Sequence, residues 1–130
     1  MKYEADGTAL GGALKPVNIL LVDDNDAVRL IMKIVLSVEP DIGEVREAGD
    51  GDAAIKVCGS FHPDVVLLDY WMPEMDGSRA AAQIRAMHPD ARIVAYSAVL
   101  EKKPEWADEY LTKDDIPDPG YLIDLARSER

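Results

Sequence analysis

Apolar residues fall along the chain in two rhythms. Short apolar runs occur at 17–22, interrupted only by Asn18, and unbroken at 65–68, and residues 92–96 alternate and then run apolar. Between them apolar positions recur every three or four residues, the spacing of one helix face. The first run predicts a strand over 17–22, ending in the acidic turn Asp23-Asp24-Asn25-Asp26, which also supplies a helix N-cap. A helix follows from Ala27 to about Ser37, with Val28, Ile31, Met32 and Val35 inward, and 39–43 breaks it. A second strand is expected at 45–48. Gly49-Asp50-Gly51 then turns the chain into a helix over 52–58, with Ala54, Val57 and Cys58 inward. A third strand covers 65–69. Asp76-Gly77 opens an alanine-rich helix over 78–87, with Asp76 as its cap, and 92–97 is the fourth strand. Lys103-Pro104 has the form of a helix start with proline in the first position. The last strand is expected at 110–113 and the last helix at 119–127, with Tyr121, Leu122 and Leu125 on one face. Alternating strands and helices predict an α/β chain with a parallel sheet.

The run Val65-Val66-Leu67-Leu68, bounded by Pro63 and Pro73, is apolar at every position, as in a central strand buried on both faces. It ends in Asp69. In open α/β sheets, ligands bind at the carboxyl ends of the strands. A buried unpaired charge is costly, so an acid there calls for a partner.

Composition narrows the picture. A length of 130 residues suits one domain with one core. No apolar run reaches the roughly 18–20 residues of a membrane span, and no secretory signal pattern is present. Residues 1–16 mix glycine and charge without periodicity and are expected to be a flexible leader, with the domain at 17–130. The single cysteine, Cys58, fits packing in a reduced, cytoplasmic compartment better than a disulfide. A net charge of −11 argues against binding nucleic acid directly. His62 and His88 each precede a proline and are expected far apart in loops, not as a ligand pair.

A doubly wound sheet with strand order 2-1-3-4-5 places the first and third strands side by side. Asp23, Asp24 and Asp69 then share one cleft, with Ser97 and Lys113 at the neighbouring strand ends. At 4 Å and an effective dielectric of 20, each like-charge pair costs on the order of 4 kcal/mol. That is a large share of a domain stability of roughly 5–15 kcal/mol, so protons or a cation must bind. Carboxylate oxygens with open water positions suit Mg²⁺. A cation, a lysine and a hydroxyl around one carboxylate can stabilise a phosphoryl group.

These residues resemble the receiver domain of bacterial two-component response regulators (CheY-like). The matching stretches are Ile19-Leu20-Leu21-Val22-Asp23-Asp24, Pro63-Asp64-Val65-Val66-Leu67-Leu68-Asp69, Met72-Pro73, Asp76-Gly77, Ala95-Tyr96-Ser97-Ala98 and Tyr110-Leu111-Thr112-Lys113. They cover about 18–127. The resemblance implies a flavodoxin-like (βα)5 fold. It implies that Asp69 accepts a phosphoryl group from a histidine kinase or phosphotransfer protein. Asp24, Asp69 and the backbone carbonyl of Trp71 would hold Mg²⁺, with Asp23 on a metal-bound water. Lys113 would pair with Asp69 and Ser97 with the phosphoryl group. Tyr110 would be an aromatic switch that reports to a downstream output. The implied partners are that kinase, the output and a weak homodimer, with no membrane.

Taken singly, several of these residues have plainer readings. Ser97 simply ends a strand, Tyr110 is a strand residue with a wet hydroxyl, and Arg29 and Lys33 form a solvated helix face. Two departures from the family also stand out. The Ser97–Lys113 interval is short by about six residues, roughly a turn and a half of helix. A single turn near 103–109 is therefore expected, with an altered switch face. Asp114 follows Lys113 where proline is common. Trp71 and Val99 flank the water approach and imply slow loss of the phosphoryl group. Three alternatives remain. A Mg²⁺-dependent phosphatase would want an acid where Trp71 stands. A flavodoxin-like cofactor binder would want a phosphate loop where the acidic turn stands. A receiver-fold interaction module would not need the acids at all.

Overall fold

The computed structural model describes residues 14–69, 77–98, 102–113 and 117–129. Five parallel strands form one sheet in the order β2-β1-β3-β4-β5. They are β1 (Val17–Val22), β2 (Ile42–Ala48), β3 (Val65–Asp69), β4 (Arg92–Ser97) and β5 (Glu109–Thr112). The helices are α1 (Asp26–Ser37), α2 (Gly51–Cys58), α3 (Gly77–Met87) and α4 (Pro119–Arg127). This is the flavodoxin-like order expected from the sequence. β3 lies between β1 and β4 and all its residues are buried, which is why its sequence does not alternate.

Successive strand residues point to opposite faces, so two cores form. Ile19, Leu21, Leu67 and Val94 pack with Met32 and Leu36 of α1 and Leu122 of α4. Leu20, Val22, Val66 and Leu68 pack with Ala54 of α2 and Ala80 and Ile84 of α3. The 23–26 turn caps α1 as expected, and Asp50 and Asp118 cap α2 and α4. Asn25 accepts from Val28 N at 3.0 Å and Asp50 from Ala53 N at 2.8 Å. Asp118 accepts from Gly120 N at 3.0 Å. Each such cap contributes about 1 kcal/mol.

Four local expectations change. β2 starts at Ile42, not Val45, because Gly43 lets the chains approach closely. A Cβ at Gly43 would lie 2.6 Å from Asn18 Oδ1, which instead accepts from Glu44 N. On α1, Met32 and Leu36 are buried while Leu30, Ile31 and Ile34 are exposed. That helix is apolar around most of its girth, so spacing alone does not choose the inner stripe. On α4, Leu122 and Ile123 are buried, and Tyr121 is turned outward towards Glu109. His62 and His88 are not apart. Their rings stack at 4.4 Å, and His88 Nε2 donates to the Cys58 carbonyl at the end of α2.

The connection from β4 to β5 carries no helix among the described residues. One hydrogen-bonded turn, Ala107 N to Pro104 O at 3.2 Å, stands in its place. The connection is pinned from α3: Arg85 Nη2 donates to Trp106 O at 2.9 Å and to Asp108 Oδ2 at 3.2 Å. Asp108 Oδ2 also accepts from Ile93 N at 2.8 Å. The Trp106 indole lies on Gly77, where a Cβ would come within 2.5 Å of it. β5, at the sheet edge, has no fully buried residue.

Candidate functional site

The carboxyl ends of β1, β3, β4 and β5 bring the predicted side chains to one edge. Asp23 follows β1 and is 3% exposed; Asp69 ends β3 and is 4% exposed; Ser97 ends β4 and is fully buried. Asp24 is exposed. One carboxylate oxygen from each of Asp23, Asp24 and Asp69 lies within 4.8 Å of the others. β1 and β3 are direct neighbours, Val22 opposite Leu68, so the acids converge by register.

Lys113 enters from the next edge. Its amide donates to the Ser97 carbonyl at 3.0 Å, which continues the β4–β5 ladder one residue past Thr112. Its Nζ lies 2.7 Å from Asp23 Oδ2 and 3.3 Å from Asp69 Oδ2. The ammonium also sits 5.6 Å from the centre of the Tyr96 ring. Burial pulls the Lys113 pKa down, but Asp23 and Asp69 outweigh it, and the net shift is upward. The lysine therefore stays charged and offsets part of the repulsion among the three acids.

The donor set fits a hard divalent cation. All three side chains offer oxygen, and exposed Asp24 leaves an open side for water. Asp23 Oδ1 accepts from Asn25 N at 2.8 Å, whereas buried Asp23 Oδ2 has the ion pair with Lys113 but no well-aligned hydrogen bond. A site of this kind gains from one more positive partner.

Other expected residues fall elsewhere. Tyr110 lies on β5 opposite Ala95, 36% exposed, while Thr112 lies opposite Ser97. Trp71, Met72, Asp76, Val99 and Asp114 lie outside the described residues, as does the leader up to 13.

Arg29 was missed. The sequence reads it as part of a solvated face, yet its side chain is only 15% exposed. Nη1 donates to the Asp23 carbonyl at 2.5 Å, Nε meets Glu47 Oε1 at 3.2 Å, and Nη2 pairs with Asp26. Burial lowers its pKa, and the hydrogen bonds to Asp26 and Glu47 raise it by more. The available signal was its position, one turn after the cap Asn25 and beside a dense acidic turn.

Known proteins share this fold and much of this sequence. The family model for the response regulator receiver domain matches residues 19–114, and the chain belongs to that family. It is 36% identical over 110 residues to the nitrate/nitrite response regulator protein NarL of Escherichia coli (strain K12), covering 80% of this chain and 51% of that protein. Protein-glutamate methylesterase/protein-glutamine glutaminase 3 of Myxococcus xanthus is 37% identical over 89 residues, covering 68% of this chain and 25% of that one. The chain thus spans about half or less of the length of these curated relatives. The solved signal receiver domain of NarL from Mycobacterium tuberculosis superposes with a TM-score of 0.75 at 30% identity, covering 89% of this chain and all of that one. Response regulator TrrA of Thermotoga maritima, solved with Mg²⁺–BeF, gives 0.66 at 34% identity, covering 75% of this chain and 86% of that chain.

Proposed function

We propose that residues 17–130 are a phosphoacceptor receiver unit and that Asp69 takes the phosphoryl group. The observation that carries this reading is the buried Asp69 carboxylate, clustered with Asp23 and Asp24 and 3.3 Å from the Lys113 ammonium. The phosphoryl donor is a phosphohistidine on a kinase or phosphotransfer protein. An Asp69 oxygen attacks phosphorus, the phosphorus–nitrogen bond breaks, and the imidazole leaves with that electron pair. The product is an acyl phosphate on Asp69.

Asp23, Asp24 and Asp69, with the carbonyl of Trp71, are the residues that would hold Mg²⁺. Bound there, the ion supplies charge to neutralise the phosphoryl oxygens. TrrA, solved with Mg²⁺–BeF, supports that choice. Lys113 holds its positive charge against Asp69 before transfer and meets a phosphoryl oxygen afterwards. Ser97 donates its hydroxyl to another, and Tyr110 follows its movement towards the output. We assign the domain no other catalytic reaction. Its setting is the cytoplasm, its partners the kinase and a downstream output, with a weak homodimer available.

The test is incubation with acetyl phosphate and Mg²⁺, followed by intact mass. One added phosphoryl group is expected, lost on omitting Mg²⁺ and in Asp69→Asn. An unmodified wild type that still binds Mg²⁺ overturns the proposal in favour of an interaction module.

A further inference from the structure

We infer that Arg29 is a positioning residue for the divalent ion. By holding the peptide between Asp23 and Asp24, it presets the carboxylates before any metal arrives. The inference rests on the metal reading above, and names a residue outside the acids that this reading uses.

The carbonyl that Arg29 Nη1 grips belongs to the peptide joining Asp23 to Asp24. Fixing that peptide plane fixes the direction in which Asp24 leaves the turn. Asp23 has other restraints: its amide donates to Ala48 O at 3.1 Å, Oδ1 accepts from Asn25 N, and Lys113 meets Oδ2. Asp24 is exposed and lies next to two buried acids of the same sign. Repulsion pushes the exposed one outward, and the peptide plane opposes that push.

The guanidinium is anchored to the scaffold. Its Nε is held by Glu47 on β2, whose second oxygen meets Lys33 Nζ at 3.4 Å. Arg29 therefore ties the metal-facing turn to α1 and to the neighbouring strand at once. Three acceptors around one planar fork suit arginine. Lysine, a single point donor, reaches fewer of them. Groups that orient metal ligands from behind commonly alter metal affinity 10–100-fold when removed. Asp26 also pairs with Arg29, but its side chain is 90% exposed and adds little.

The experiment is calorimetric titration of the full chain with Mg²⁺, alongside thermal unfolding in chelator. Arg29→Gln is expected to weaken Mg²⁺ binding about tenfold. Arg29→Lys should recover only part of the affinity, Glu47→Gln should fall in the same direction, and Asp26→Asn should stay within about twofold. A purely structural arginine would lower the melting temperature and leave affinity unchanged at temperatures where the variant is folded. Folded Arg29→Gln and Arg29→Lys proteins that bind Mg²⁺ as tightly as wild type overturn this inference alone. A wild type that binds no Mg²⁺, indistinguishable from Asp24→Asn, overturns the phosphoacceptor reading and this one with it.

Discussion

Lys113 lies closer to Asp23 than to Asp69: its Nζ is 2.7 Å from Asp23 Oδ2 and 3.3 Å from Asp69 Oδ2. The lysine thus bridges two buried carboxylates and partly fills the electrostatic role of a cation. Lys113→Met leaves both acids without that partner and should cost about 2 kcal/mol of stability at neutral pH in chelator. Mg²⁺ should then raise the melting temperature of the variant by more than that of wild type. Equal Mg²⁺ shifts in the two proteins would contradict this.

Alkaline pH should destabilise the fold in separable steps. Burial pushes the Cys58 thiol up to about 11 from an ordinary 9.0. Above pH 9 the unfolded chain loses that proton while the folded chain keeps it, so stability falls through pH 11. Two pKa units correspond to roughly 2–3 kcal/mol. Lys113 is also raised, so its contribution is complete below its ordinary value of 10.5 and is lost only at higher pH. Urea unfolding from pH 7 to 11 should show Cys58→Ala less stable at pH 7 yet flatter between 9 and 11. The native thiol should also resist disulfide reagents at pH 8.

Gly77→Ala should be destabilising despite alanine's better helix propensity. Its new Cβ meets the Trp106 indole at 2.5 Å, and overpacking of this kind costs about 1–3 kcal/mol. Paired with Trp106→Ala, the same substitution should lose its penalty. A double-mutant cycle by chemical denaturation reads the coupling.

Asp108→Ala should loosen the seam between β4 and β5 specifically. The carboxylate accepts from the Ile93 amide and from Arg85, so its loss should cost about 2 kcal/mol. Amide hydrogen exchange should speed most at Ile93 and in β5, with β1 unaffected. A uniform rise across the sheet would point to global destabilisation instead.

β1 and β3, which carry the acids, were legible because burial on both faces leaves nearly unbroken aliphatic runs. The acids were legible because each ends such a run. The inner stripe of α1 was not, since Leu30, Ile31, Met32, Ile34, Val35 and Leu36 offer several equally apolar faces. Only the sheet decides that Met32 and Leu36 turn inward. Arg29 escaped for a related reason: a charged side chain on a helix reads as solvated until the fold supplies three acceptors. The His62–His88 stack depends on the loop entering β3 meeting the end of α3, which spacing along the chain does not encode.

Because β5 is the least enclosed strand of the sheet, the cation opposing the acids rides on its most easily frayed margin. Any transient peeling of that margin withdraws the ammonium and leaves Asp23 and Asp69 facing each other with their mutual repulsion unscreened. Edge fraying and charge imbalance are then one event, and a bound divalent ion, by screening the acids itself, would make that margin easier to free.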